Sequence, residues 1–348
     1  MRYNRLGETG LFISQLCFGA SNFGGADHPV YSRLGGIDQA GADRIVGTVI
    51  DAGINFIDTA DIYANGEAEE MLGLALKGRR DKVLISTKVN NRMGPGPNEV
   101  GQSRVHLMRS IEGSLRRLNT DVIDIYYIHL FDPLTRFEDC LRSFDDMIRQ
   151  GKVRYIGCSN LAAWQMMKTL KVSAMNGLEP FVSAQAYYSL AGRDIEREIA
   201  PFVTDQKLGL ITWGGLAGGL LTGKYGRDRS PQEASRRTSF NFPPVDLDHA
   251  WRVIDAAMPV AERHGASLAQ IAMAWQLTKP FVASALFGAR NVRQIEDTLK
   301  AMDIVLSEGD LAILDGVSAL RTEYPQWQFD LSLGREPGGT RDWSKMLS

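Results

Sequence analysis

Eight short apolar runs, separated by stretches with helical spacing, constrain this chain more than any other feature. The runs are Gln15 to Gly19, Ile54 to Asp58, Val83 to Lys88, Val122 to His129, Val153 to Ser159, Phe181 to Ala186, Leu208 to Trp213 and Val282 to Gly288. Their length and apolar content are those of buried strands. Between them lie helical patterns at Gln39 to Ala52, Ala68 to Gly78, Gly101 to Leu118, Phe137 to Gln150, Ala162 to Leu170 and Ile195 to Asp205. This alternation calls for parallel strands joined by crossover helices. For eight strands, an α/β fold closed into a (β/α)8 TIM barrel leaves no sheet edge exposed. A hairpin around Gly7 to Gly10 precedes the first run. The alternative, an open doubly wound sheet, usually carries a glycine-rich nucleotide motif. Neither Gly-x-Gly-x-x-Gly after the first run nor Gly-x-x-x-x-Gly-Lys-Ser/Thr is present.

The chain has 348 residues, 44% of them hydrophobic, enough for one large core, and we read residues 1–348 as a single domain with 321–348 as its tail. Tyr324, Trp327, Phe329 and Trp343 in that tail predict that part of it docks on the barrel, over the mouth. Three stretches read as loops: Gly24 to Gly36, Asn90 to Asn98 and Lys224 to Pro244. The net charge of −2 is dispersed, with no basic stripe to follow a phosphate backbone, which argues against nucleic acid. No secretory signal or membrane-spanning run is evident, and Cys17, Cys140 and Cys158 form neither a disulfide framework nor a thiolate cluster. A cytoplasmic protein is the expectation.

Polar residues close three of the apolar runs. Asp58 ends one, Lys88 ends the next and His129 the one after, while Tyr63 follows Asp58 by five residues. In a barrel these residues gather at one rim. A lone ammonium or carboxylate there carries a desolvation cost of several kcal/mol, so Lys88 and Asp58 are best explained as a pair. A phenol ionises near pH 10, and an adjacent ammonium favours its phenolate, making Tyr63 a workable proton donor. His129 then orients the same substrate oxygen. Taken singly, Tyr63 also fits a rim tyrosine and His129 a satisfied core histidine. Proton donation to a carbonyl needs an electron source, and the chain holds no redox centre. His-Glu-x-x-His is missing, and no metal site is signalled. An external hydride carrier remains.

These segments, Asn-Phe-Ile-Asp-Thr-Ala-Asp-Ile-Tyr with Asp58 and Tyr63, Ile-Ser-Thr-Lys with Lys88, Asp-Ile-Tyr-Tyr-Ile-His with His129, and Gly157-Cys158-Ser159-Asn160, together resemble the aldo-keto reductase superfamily, up to about residue 320. The resemblance implies a nicotinamide cofactor lying across the barrel mouth, NADP(H) rather than NAD(H). By position, Ser159, Asn160 and Gln185 would hold its carboxamide, beside the catalytic Asp58, and Trp213 would stack on the ring. The segment Gly214, Gly215, Leu216, Ala217, Gly218 and Gly219, with Lys224 after it, would follow the pyrophosphate, and Arg236 would sit on a belt across the cofactor. In the segment opened by Gly288, Arg290 would face the 2′-phosphate, with Gln294, Asp297 and Thr298 near the ribose and adenine. A guanidinium suits a phosphate because its planar fork donates two hydrogen bonds.

Three departures from the family pattern stand out. Trp213 replaces the commoner Tyr, as in the potassium-channel beta subunits of the same superfamily. Gly214-Gly215 replaces Ser-Pro, which predicts a looser loop, and Thr298 replaces Asn. The implied activity is NADP(H)-dependent interconversion of an aldehyde or ketone with its alcohol, in either direction. The alternative is a slow-turnover NADPH-binding redox-sensor subunit. Phe23, Tyr63, Phe131, Trp164 and Tyr188 are the expected pocket walls. The partner is a small-molecule carbonyl or alcohol, with no nucleic acid or membrane. Oligomeric state is not encoded in any motif.

Overall fold

The computed structural model describes residues 1–227, 237 and 241–328. The chain opens with the expected hairpin, in which β1 (Tyr3–Arg5) pairs antiparallel with β2 (Phe12–Ser14). Eight strands then form a closed parallel barrel: β3 (Leu16–Gly19), β4 (Phe56–Asp58), β5 (Leu84–Val89), β6 (Ile123–Ile128), β7 (Val153–Ser159), β8 (Phe181–Tyr187), β9 (Gly209–Trp213) and β10 (Val282–Phe287). The ring closes where β10 pairs with β3. Each strand matches an apolar run of the sequence to within a few residues.

Helices lie between the strands: α1 (Tyr31–Leu34), α2 (Gln39–Asp51), α3 (Glu67–Ala75), α4 (Arg104–Leu118), α5 (Phe137–Arg149), α6 (Ala163–Asn176) and α7 (Ile199–Asp205). Their starts follow local capping chemistry. Asp38 accepts a hydrogen bond from the Gly41 N–H at the head of α2, and Ser103 accepts one from His106 at the head of α4. Beyond Asp205 the sequence reading names no helix, yet α8 (Leu247–Arg263), α9 (Leu268–Leu277), α10 (Val292–Leu299) and α11 (Glu308–Val317) follow. Signals for two of them are present in retrospect: Ser267 with Gln270, and Ser307 with Asp310, form capping boxes.

Two apolar layers hold the barrel. The larger packs strand exteriors against the helices, with Leu72, Ile111, Phe144, Ile254 and Ile271 among its buried members. The smaller fills the barrel interior and combines Cys17, Phe56, Ile125, Tyr127 and Ile211 with Leu6 and Ile13 of the hairpin. A Cβ on Gly7 would meet Lys207 O at 2.8 Å and Gly209 N at 3.1 Å, which places the hairpin against the entry to β9. The N-terminal end of the barrel is thus plugged, leaving the C-terminal end for chemistry.

The described part of the tail keeps its aromatic residues out of the core. Tyr324 and Trp327 are exposed and contact each other, with ring centroids 5.8 Å apart. Its tether is polar: Arg197 donates to Arg321 O at 3.0 Å and approaches Glu323. Phe329 and Trp343 lie outside the described residues.

Candidate active site

Strand register brings the polar residues level. Asp58 pairs with Ser86, Lys88 with Tyr127 and Ser159 with Gln185, so the side chains ending β4, β5, β7 and β8 emerge together at the barrel mouth. Lys88, fully buried, donates from Nζ to Asp58 Oδ2 at 2.5 Å, to Thr59 O at 2.8 Å and to the Tyr63 hydroxyl at 3.3 Å. Ser86 Oγ and Gln185 Nε2 both donate to Asp58 Oδ1, at 2.7 and 3.0 Å. Burial works against the Lys88 charge, but Asp58 and Tyr63 together outweigh it and the lysine pKa is raised. Lys88 is therefore an ammonium throughout the neutral range.

Tyr63 opens a tight 3-10 turn (Tyr63–Gly66) in which Ala64 and Asn65 adopt positive φ. That turn folds the phenol back over Lys88, whose Nζ lies 5.0 Å from the ring centroid. His129, immediately past β6, meets the Tyr63 ring edge-on at 5.9 Å. Asn91 Nδ2 lies 2.8 Å from His129 Nδ1. An amide N–H only donates, so Nδ1 accepts and the proton sits on Nε2. Burial, and then the Lys88 charge, push the His129 pKa down from 6.5 to about 3. Because the folded value lies below the unfolded one, the stability contributed by neutral His129 is present above about pH 6.5 and lost as pH falls toward 3. NMR titration of the imidazole should show a neutral Nε2–H tautomer with no protonation step between about pH 5 and 8.

The sequence-predicted carboxamide residues converge on the same place. Asn160 Nδ2 donates to Ser159 Oγ at 3.0 Å and to His129 O at 3.1 Å, and its Oδ1 accepts from Trp213 Nε1 at 3.1 Å. Phe242 stacks on the Trp213 indole, with ring centroids 5.8 Å apart and the planes 9° from parallel. After β9 the backbone turns tightly: Gly214, Ala217, Gly218 and Gly219 have positive φ. Within these turns the Ala217 N–H donates to Gly214 O at 2.7 Å and the Gly219 N–H to Leu216 O at 2.9 Å, which fixes the path of the loop. Nothing would obstruct a Cβ on Gly219, which leaves its backbone open to a ligand.

Gly214 and Gly215 both sit close against neighbouring side chains. A Cβ on the first would lie 2.7 Å from the Tyr187 ring, and on the second 2.3 Å from Gln276 Nε2. Leu216 precedes the 3-10 turn Ala217–Thr222, and Lys224 follows it, exposed. Arg236 lies outside the described residues. Its neighbour Arg237, not foreseen, is buried and donates to Ala217 O at 3.0 Å and Pro243 O at 3.3 Å, tying the two loops together.

Gly288 and Arg290 lead into α10. The Arg290 backbone N–H donates to Gln294 Oε1 at 2.7 Å, and its exposed guanidinium reaches Arg33 O at 3.3 Å. Gln294 thus braces the turn that presents Arg290. Asp297 Oδ1 accepts from Gln270 Nε2 at 2.7 Å, and Thr298 donates to Gln294 O at 2.9 Å, so both side chains are engaged within the scaffold.

Two expected pocket walls belong to the core. Phe23 is fully buried against Phe18, and Tyr188 is fully buried against Trp275 with its hydroxyl on Glu196. Phe131 and Trp164 are exposed, the former packed on Phe137. The sequence reading missed Tyr31, whose ring lies 6.1 Å from that of Tyr63, as well as Asn91 and Phe242. Aromatic residues in a loop give no signal of which ring will reach the mouth. Among the described residues, no three His, Cys, Asp or Glu side chains gather to hold a metal, and no helix is long and apolar enough to cross a membrane.

Comparison with known proteins finds that residues 15–319 match the Aldo/keto reductase family. A probable voltage-gated potassium channel subunit beta from Oryza sativa subsp. japonica is 35% identical over 314 residues, covering 88% of this chain and 92% of its own length. An uncharacterized oxidoreductase of Bacillus subtilis is 35% identical over 329 residues, covering 91% of this chain and 96% of its own. Norsolorinic acid reductase of Aspergillus flavus is 31% identical over 333 residues, covering 93% and 83% respectively.

Proposed function

Because the chain belongs to the aldo/keto reductase family, we propose that it is an NADP(H)-dependent oxidoreductase interconverting an aldehyde or ketone with the corresponding alcohol. The observation that carries this reading is the convergence of Lys88 Nζ on Asp58, Thr59 and Tyr63 beside a neutral His129. When bound, the nicotinamide supplies or accepts the hydride at the carbonyl carbon.

In the reducing direction, His129 Nε2–H donates a hydrogen bond to the substrate oxygen and holds it against the Tyr63 hydroxyl. Tyr63 passes its proton to that oxygen as charge develops there. The ammonium of Lys88, 3.3 Å away, stabilises the tyrosinate left behind, and Asp58 fixes that ammonium in place. In the oxidising direction the tyrosinate takes the proton back. Ser159, Asn160 and Gln185 would hold the carboxamide, and the turns from Gly214 to Gly219 would hold the pyrophosphate. The Tyr31 and Tyr63 rings, next to His129, would suit an apolar or aromatic carbonyl compound, with the exposed Phe131 and Trp164 as further walls in this reading. The three cysteines are buried and unpaired, in keeping with a reducing compartment, and a cytoplasmic location belongs to the same proposal.

The test is NADPH oxidation by the purified protein against aldehydes, aryl ketones, sugars and cyclic ketones, with the reverse assay in NADP+. Sustained turnover supports the reading, and cofactor binding without turnover on any of them overturns it. Trp213 and the relatedness to channel beta subunits favour a second reading, a slow-turnover NADPH-binding sensor subunit. That reading requires one NADPH oxidised per protein, followed by negligible turnover.

Arg290 decides cofactor preference in this proposal. Arg290→Ala should weaken NADPH by about 10- to 100-fold, the value of roughly one charge-assisted pair of hydrogen bonds. NADH affinity should change little. Titration calorimetry with both cofactors checks this, and equal losses would remove Arg290 from the phosphate site.

A further inference from the structure

Asp61 plays no part in the scheme above, yet it sits within it. The residue occupies the turn between Asp58 and Tyr63, and its backbone N–H donates to Lys88 O at 3.2 Å. Its side chain is 0% exposed, and neither carboxyl oxygen accepts a hydrogen bond of good geometry among the described residues, although the Ile62 amide is near enough to act on the carboxylate. An isolated carboxylate so placed carries a large desolvation cost, which protonation removes.

The charged and titratable groups around Asp61 come from five directions. Glu69 of α3 faces it, also fully buried. Arg117 of α4 could neutralise a carboxylate there, but its Nε is committed to Glu69 at 2.7 Å. Thr87 Oγ1 bonds the other Glu69 oxygen. Lys88 of β5 is within electrostatic reach, but its donors are directed to Asp58, Thr59 and Tyr63. Tyr126 of β6 and Tyr31 of α1 both feel the Asp61 charge. Among the described residues, the two cations that act on Asp61 are thus each already matched to another carboxylate.

We propose that Asp61 is a positioning residue of the reaction: a buried, neutral carboxylic acid in the turn that leads to Tyr63, whose ionisation shuts the site down at alkaline pH. The proposal rests on the reaction assigned above. While Asp61 is neutral, Lys88 faces Asp58 and Tyr63 alone and can stabilise the tyrosinate. Once ionised, Asp61 adds a third carboxylate, after Asp58 and Glu69, to the same low-dielectric region and opposes negative charge on Tyr63. Burial first, and then Glu69, push its pKa up from the ordinary carboxylate value to about 8, with Arg117, the Ile62 amide and Lys88 offsetting part of the shift. A folded value above the unfolded one means that stability from this group is full below about pH 4. It is lost as pH rises toward 8.

The experiment compares wild type with Asp61→Asn, which keeps the shape and removes the ionisation. The rate of carbonyl reduction at saturating NADPH is followed from about pH 6 to 10, with thermal unfolding over about pH 4 to 9. The expected result is an alkaline limb in wild type that moves up by about one pH unit in the variant. At the top of the range the variant then keeps roughly 10-fold more of its own neutral rate. The midpoint difference between the two proteins should also grow from pH 4 to 8. Infrared difference spectra of wild type between about pH 6 and 9 should show loss of a protonated-carboxyl stretch, and this readout needs no folded variant. A limb unmoved in an active Asp61→Asn protein overturns the proposal alone, as does a carboxyl already ionised at pH 6. A wild type without turnover at any pH overturns the assigned reaction and the proposal with it.

Discussion

Tyr63→Phe should lower turnover by about 10²- to 10⁴-fold, the usual contribution of a positioned proton donor, while NADPH affinity stays within a few-fold of wild type. The variant removes one oxygen. The ring keeps its edge contact with His129 and its place against Lys88, so the mouth retains its shape. What disappears is the proton that leaves Tyr63 and the tyrosinate that Lys88 stabilises, both present only as the transition state forms. Steady-state kinetics with a carbonyl substrate, paired with fluorescence titration of NADPH, separate the two effects. A rate near wild type would show that the proton comes from another group, and a large loss of cofactor binding would show that Tyr63 serves chiefly to build the site.

Lys88→Met should destabilise the fold by about 3 to 5 kcal/mol, in the range for removing one partner of a buried ion pair. Lys88 is fully enclosed and Asp58 nearly so. Methionine fills much of the same volume, so the loss is electrostatic: Asp58 keeps donors from Ser86 and Gln185 but loses its only ammonium among the described residues. Urea unfolding at neutral pH measures the effect. The double variant Asp58→Asn with Lys88→Met should recover part of that stability without recovering activity, since the charge left unpaired is gone but nothing stabilises the tyrosinate. Equal destabilisation by the single and double variants would show that packing, not pairing, holds this position.

The barrel was legible because strands buried on both faces must be apolar along their length, and eight such runs leave few ways to close a sheet. The four reactive side chains were legible for a related reason. Each polar residue ending an apolar run marks the place where the chain leaves the core, and parallel strands bring those places to one rim. The helices beyond Asp205 were passed over although Ser267 and Ser307 carried capping signals. Phe23 and Tyr188 were misplaced because an aromatic residue next to a strand end is equally consistent with core and rim.

Sequence by itself determined the alternation of strands and helices, the order of Asp58, Tyr63, Lys88 and His129 along the chain, and the chemistry those four side chains can perform. Only the tertiary structure decided which neighbours act on them. Asn91 settles the His129 tautomer, Arg237 ties Ala217 to Pro243, Gly215 packs against Gln276, and Asp61 is left without an ion pair of its own among the described residues. These partners lie up to some 60 residues apart in the chain, and their effects depend on distance and burial. Periodicity encodes which face of a segment is buried, whereas a proton's position or a carboxylate's charge depends on what the barrel's closure brings within a few ångströms.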